Sequence, residues 1–206
     1  MKALVLVAGL ALTGAASAQV WIEVPDAPAP AIPAPAPQFT VGVGPLLTII
    51  GGGDFPGDNV DGYCIMITDP LAFSATTVGG TGQDTQLFLF DFGGMGVTFN
   101  DDSAFTLQST VTGAFVPGPG LYALVVSTFD GDPLDAAGSE IWLDTPFGVE
   151  RAPDGPGAPG PVSGWTGSPD LLPYSIFLTG ATYCVPAPGA FALLGLGGLV
   201  AMRRRR

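Results

Sequence analysis

The chain predicts an all-β protein built as a single β-sandwich, and three observations carry that expectation. Its composition joins 47% apolar residues to 12% charged ones, with 31 Gly and 21 Pro among 206 residues, too apolar for disorder and too rich in turn formers for a helical fold. The stretch Thr85-Gln-Leu-Phe-Leu-Phe-Asp91 puts Leu87 and Leu89 on one face and Phe88 and Phe90 on the other. A strand apolar on both faces belongs in the middle of a layered β structure. Phe105, Leu107, Ser109 and Val111 alternate with Thr106, Gln108 and Thr110, the period of a strand with one wet face.

Residues 1–18 carry Lys2, an apolar run over 3–12 and Ala16-Ser17-Ala18 ahead of Gln19, the order of a secretory signal peptide with an A-x-A cleavage site. Residues 19–38 then form a Pro/Ala-rich linker. Proline at every second or third position from Pro25 to Pro37 blocks helix and ladder alike, so the expectation is an extended polyproline II spacer reaching ~40 Å. A docking peptide is the alternative, but basic or aromatic flanking residues are missing.

The folded body is expected over 39–184, with strands at 46–50, 63–68, 72–78, 85–91, 96–100, 105–112, 121–129 and 174–179. Ile65, Met66 and Ile67, like Leu124, Val125 and Val126, are apolar on consecutive positions and mark further central strands. Between the last two strands runs a Gly, Pro and Asp-rich segment, 130–173, that carries Trp142, Phe147 and Trp165. A loop of that length is either a functional surface or a cover for the sandwich. Exposed Trp142 and Trp165 would suit sugar stacking; buried, they would close the core. The tail, 185–206, combines Pro186-Ala-Pro188-Gly189, an apolar run over 190–202 that reads as a short transmembrane helix, and Arg203, Arg204, Arg205 and Arg206, a basic stop that stays cytoplasmic.

Charge and missing residue types narrow the chemistry. Every one of the 18 acidic residues lies at Glu23 or later, while Arg151 is the one basic residue outside the two ends, leaving a processed body at −17. Such a surface repels nucleic acid and suits divalent cations. There is no histidine, and Lys2 is the only lysine, which removes histidine-based nucleophilic catalysis, histidine metal sites and lysine chemistry.

Three acidic clusters fall in predicted turns: Asp54, Asp58, Asn59 and Asp61; Asn100, Asp101 and Asp102; and Asp130, Asp132 and Asp135. Asp58, Asp61, Asp101 and Asp102 are the expected ligands of a calcium ion, with the reading as ordinary turn formers standing beside it. Glu140 with Asp144, or Asp130 with Asp132, are the pairs a glycoside hydrolase would need, but they sit in loosely positioning loops. The two cysteines, Cys64 and Cys184, are expected to pair in an oxidising compartment, against the alternative of two buried thiols.

Two resemblances add to this. The tail resembles the PEP-CTERM sorting signal, which implies processing by an exosortase and association with the cell surface or extracellular polysaccharide; Ala187 stands where that family carries glutamate. The body, over about 60–180, resembles the bacterial pre-peptidase C-terminal domain, a jelly-roll-like β-sandwich. Asp61-Gly-Tyr-Cys-Ile65 is similar to its opening strand, Asp84 to Asp91 to its central strand, Asn100-Asp-Asp-Ser103 to its acidic turn, Gly120-Leu-Tyr122 to its penultimate strand and Pro173 to Leu178 to its closing strand. Some relatives of that sandwich bind calcium. The expectation is therefore an exported, non-catalytic surface or matrix protein, with a carbohydrate- or protein-binding module as the alternative and a hydrolase as the remote one.

Overall fold

A computed structural model describes residues 19–186 apart from 33, 54, 55 and 168. The signal-like segment 1–18, Asp54, and the tail beyond Pro186, with Pro188, Gly189, the apolar run 190–202 and Arg203 to Arg206, lie outside the described residues. The described chain is all-β. In order come β1 (Val20–Ile22), β2 (Gln38–Phe39), β3 (Val41–Gly42), β4 (Thr48–Gly51), β5 (Val60–Ile67), β6 (Ser74–Thr76), β7 (Thr85–Asp91) and β8 (Gly96–Asn100). They are followed by β9 (Thr110–Thr112), β10 (Gly120–Thr128), β11 (Pro133–Leu134), β12 (Gly164–Trp165), β13 (Tyr174–Thr179), β14 (Ala181–Tyr183) and β15 (Val185–Pro186).

Two sheets make the sandwich. One has the order β1-β4-β13-β6-β9; the other runs β14-β5-β10-β7-β8, with β2 sharing the β14 edge of β5. The continuous apolar runs of β5, β7 and β10 place them at the centre of the second sheet. On its inner face Tyr63, Ile65, Leu87, Leu89, Leu124 and Val126 meet Ile49, Ala75, Val111, Ile176 and Leu178 of the first sheet. Each buried Leu, Ile or Val among them is worth ~1.5–3 kcal/mol of transfer free energy.

The outer face of the second sheet is just as apolar and meets, in place of another large sheet, only the two-stranded β11-β12 pair and the irregular chain around it. Phe88, Phe90, Phe99, Ala123 and Val125 are covered instead by Ile141, Trp142, Val162 and Trp165 of the long 130–173 segment. That segment is thus a third, irregular layer, and the two-sided pattern of β7 is satisfied by it.

Three expectations change. The spacer over 19–38 is not free chain: β1 adds in parallel to β4, Ala27 is fully buried in the inner core, Pro30 O accepts the Trp165 indole N–H at 2.8 Å, and Ile32 N–H donates to Val162 O at 2.8 Å. Prolines remove ladder donors but leave carbonyls and apolar rings, and those are what dock. The strand expected over 105–112 is reduced to Thr110–Thr112. Thr106 N–H closes a turn on Ser103 O, Phe105 takes φ +66° and its ring is fully exposed. Thr106 Oγ1 accepts Gln108 N–H at 3.3 Å and Ser103 N–H donates to Gln108 O at 2.7 Å, which gives the backbone a local alternative to the ladder. Finally, the strand expected over 72–78 shortens to Ser74–Thr76, because Asp69 caps a 3-10 turn at Pro70–Ala72 ahead of it.

Cys64 of β5 and Cys184, just beyond β14, are joined in a disulfide with Cα atoms 5.5 Å apart and a sequence separation of 120. Thr40 locks both strands beside it: its hydroxyl donates to Cys64 O at 2.7 Å and accepts from Cys184 N–H at 3.0 Å. Beyond the bridge, Pro186 lies in β15, paired in parallel with β3 opposite Gly42.

Candidate metal centre

The second sheet gathers most of its acids at one end, Asp91 at the far end of β7 apart. Strand β10 is antiparallel to both β5 and β7, so the starts of β5 and β7 flank the end of β10, with Val60 opposite Ser127 and Thr85 opposite Thr128. Strand β8 returns there too, Asn100 facing Leu87. Turns at this end carry the carboxylates, and the described residues hold three groups whose oxygens lie within 4.8 Å of one another: Glu23, Asp26, Asp58 and Asp61; Asp84, Asp101 and Asp102; and Asp132, Glu140 and Asp144.

In the first group, Asp61 shares the inward-facing alternation of Tyr63 and Ile65 and is fully buried. Tyr174 donates its hydroxyl to Asp61 Oδ2 at 2.6 Å, and the Tyr63 and Tyr174 hydroxyls lie 2.6 Å apart. Asp61 Oδ1 has no hydrogen-bond partner. Burial pushes the Asp61 carboxyl up to about 9, and the charges of Glu23, Asp58 and Asp26 add to the rise against the Tyr174 bond. Asp58 is raised to about 7, by burial first and then by Asp26 and Glu23. Burial beside these acids also raises both tyrosine hydroxyls.

Glu23 reaches the group from the end of β1, where its two oxygens accept Ala27 N–H at 2.6 Å and Gly52 N–H at 2.8 Å. The approach demands glycine: a Cβ on Gly51 would stand 2.3 Å from Glu23 Oε2 and 2.4 Å from the Tyr63 hydroxyl, and Gly52 takes φ +78°.

In the second group, Asp84 Oδ1 and Asp101 Oδ1 also lack partners. Burial lifts Asp101 to about 7, with Asp102 and Asp84 adding to the rise. Asn100 is committed to the turn, donating to Asp102 O at 2.9 Å and accepting Thr110 N–H at 2.9 Å. In the third, Gln86 Nε2 lies 3.4 Å from Asp132 Oδ1, and burial followed by the charge of Glu140 raises Asp132 to about 6.

The four expected calcium ligands therefore do not converge. Asp58 and Asp61 belong to one group and Asp101 and Asp102 to another, with β10 and β7 between β5 and β8; at ~4.8 Å per strand that is ~14 Å, far beyond the ~2.3–2.6 Å reach of calcium to oxygen. Asp135 is a turn former, its Oδ1 accepting Ala137 and Ser139 N–H at 2.9 Å. Glu23 and Asp26 were missed because they lie in what reads as a proline spacer, some 35 residues before Asp58; Glu23 ending an apolar triplet was the available signal. Of the carboxylates suggested for glycoside hydrolysis, Asp130, Asp132 and Asp144 border a cavity of about 70 Å³, against ~300–1,000 Å³ for ligand sites; Glu140 does not line it, and Asp130 also faces an open depression.

Trp142 and Trp165 both pack on the outer face of the second sheet. Trp142 is 2% exposed and packs on Phe88, Phe90 and Phe99 with ring centroids 5.5–5.8 Å apart. Trp165 lies half-buried with its ring centroid 5.5 Å from that of Phe88. Arg151, the one Lys or Arg among the described residues, is likewise structural: it pairs with Asp154 at 3.2 Å, donates to the Leu143 and Pro146 carbonyls and lies over the Phe99 ring.

No family model matches the chain, and neither the curated proteins nor the solved structures compared with it give a match. The class it defines on its own geometry is a disulfide-linked, two-sheet β-sandwich with three carboxylate groups at one end.

Proposed function

We propose that the protein is an exported, non-catalytic component of the cell surface or extracellular matrix whose body is stabilised by bound calcium. The observation that carries this is the set of buried carboxylate oxygens on Asp61, Asp84 and Asp101 that have no hydrogen-bond donor. Water-starved carboxylates are costly unless neutralised, and a hard divalent cation is the partner that oxygen-only groups suit. The disulfide fits an oxidising compartment, where calcium is also plentiful. The signal-like N-terminus and the PEP-CTERM-like tail favour export, membrane tethering through 190–202 and release by an exosortase-type enzyme, with extracellular polysaccharide as the surrounding partner.

The test is a calcium titration of metal-stripped protein followed by calorimetry. At ~100 times the dissociation constant calcium adds ~2.7 kcal/mol, a rise in Tm of several degrees, and magnesium does less. An unchanged Tm at millimolar calcium rejects the reading. For the tail, deletion of 190–206 releases the protein into the medium; identical fractionation of both forms rejects the sorting role.

A glycan-binding reading has its own observation. Fully exposed Phe105 and part-exposed Phe129 flank the acidic end, where Gln83, Asp84, Thr128, Phe129, Asp130 and Pro169 line an open depression of about 400 Å³. Binding on a glycan array that disappears in Phe105→Ala and Phe129→Ala supports this reading, and binding unaffected by either rejects it.

A further inference from the structure

We propose that Glu23, Asp26, Asp58 and Asp61 form one calcium site whose role is to latch the N-terminal segment, residues 23–37, onto the sandwich. This rests on the reading of the body as calcium-stabilised and says which group binds and what binding does. One oxygen from each residue lies within 4.8 Å of the others, and two ligands on a single calcium ion at ~2.4 Å each are at most ~4.8 Å apart. Independently of the clustering, Asp61 is fully buried and its Oδ1 has no hydrogen-bond donor. Tyr174 occupies Oδ2 and so orients the carboxylate. Arg151, the one cationic side chain among the described residues, is committed to Asp154 and two carbonyls, so it does not neutralise this group.

The four ligands come from two separate pieces of chain. Asp58 and Asp61 belong to β5 and its approach, whereas Glu23 and Asp26 belong to the segment that leaves β1 and crosses to the outer face. That segment has few backbone donors because of its prolines: at its start Glu23 N–H donates to Ile50 O and Glu23 Oε2 accepts Gly52 N–H, and beyond them it is held by Ala27 in the core, Ala29 against the outer cluster, the Trp165 indole on Pro30 O and the Ile32 amide on Val162 O. Without a metal, the four carboxyls crowd one another across the joint between the two pieces, and that crowding is relieved only where protons are held, on Asp61 and Asp58. A cation turns that crowding into a bridge. Asp26 is exposed, which leaves the site open for the ion to enter and for waters to complete the six to eight oxygens calcium takes. Glu23 keeps its amide bonds while ligating, since each carboxylate oxygen accepts more than one partner.

The experiment compares the wild-type full chain, Glu23→Gln/Asp26→Asn and Asp84→Asn/Asp101→Asn, each in EDTA and in calcium. Hydrogen exchange of residues 26–37 and Trp165 fluorescence report the latch, calorimetry reports stability, and terbium luminescence excited through the neighbouring tyrosines reports ion binding at this group. Expected is at least tenfold slower exchange over 26–37 with calcium in the wild type and in Asp84→Asn/Asp101→Asn, together with terbium emission that calcium displaces; Glu23→Gln/Asp26→Asn loses both while its disulfide and far-UV spectrum persist. Because Asp58→Asn alters the sandwich side of the same site, it must reproduce that loss. Equal exchange over 26–37 in EDTA and calcium overturns the latch. If calcium still raises the Tm of Glu23→Gln/Asp26→Asn as much as that of the wild type, stabilisation acts elsewhere and this assignment falls while the broader reading stands. If calcium shifts no Tm at all, both fall.

Discussion

Removing the Cys64–Cys184 bridge is expected to cost ~5 kcal/mol of stability. The bridge closes a sequence separation of 120 residues, for which the chain-entropy relation gives ~16 cal/mol/K, or ~4.9 kcal/mol at 25 °C. The folded state needs little from it: β14 already pairs with β5, and Thr40 ties Cys184 N–H to Cys64 O. The effect is therefore expected to act through the unfolded chain, leaving the native spectrum unchanged. Cys64 and Cys184 are both buried, so Cys→Ala would add a cavity cost; reducing the wild-type bridge without mutation isolates the entropic part. The assay is urea unfolding of oxidised and reduced protein in the same buffer. A loss near 5 kcal/mol, equivalent to ~10–20 °C in Tm for a domain of this size, is expected. A loss below ~1 kcal/mol would show that the unfolded chain is not freed by reduction and would refute the reasoning.

Other perturbations separate the layers and the acidic end. Trp142→Ala is expected to lose ~3–5 kcal/mol, because it empties the space against Phe88, Phe90 and Phe99; denaturant unfolding within ~1 kcal/mol of wild type would mean the long segment is not part of the core. Tyr174→Phe strips Asp61 and the Tyr63 hydroxyl of a buried partner at ~1–3 kcal/mol each, read by the same assay in EDTA, where no change would remove the tyrosine pair from the site. In EDTA, stability is expected to fall with rising pH between about 4 and 9. Asp61, Asp58, Asp101 and Asp132 hold protons in the folded protein to about 9, 7, 7 and 6, above the ordinary value of 3.8, so their contribution is complete below pH ~4 and is lost as pH climbs through the folded values. A Tm at pH 8.5 equal to or above that at pH 5 contradicts this.

Period and composition made the sandwich legible. The paired faces of Leu87, Leu89, Phe88 and Phe90 demanded burial on both sides, and β7 lies inside its sheet, between β10 and β8, with both faces covered. The two cysteines alone foretold one bridge. Where the backbone found another set of bonds, as Gln108 N–H does on the Thr106 hydroxyl and Thr106 N–H on Ser103 O, alternation misled, and Phe105 stands on a turn tip.

By itself, then, the sequence determined the β class, the central strands, the cysteine pair and the excess of acid, because those depend on side-chain period and count. Tertiary structure decided what covers the outer face of the second sheet and which acids meet. Trp142 is buried and Trp165 half-buried because the 130–173 segment, with its short β11-β12 pair, covers that face, and Glu23 joins Asp61 because parallel pairing of β1 with β4 brings its carboxylate to Gly52 beside the tyrosine pair. Such meetings join residues distant in the chain, and no local pattern records them.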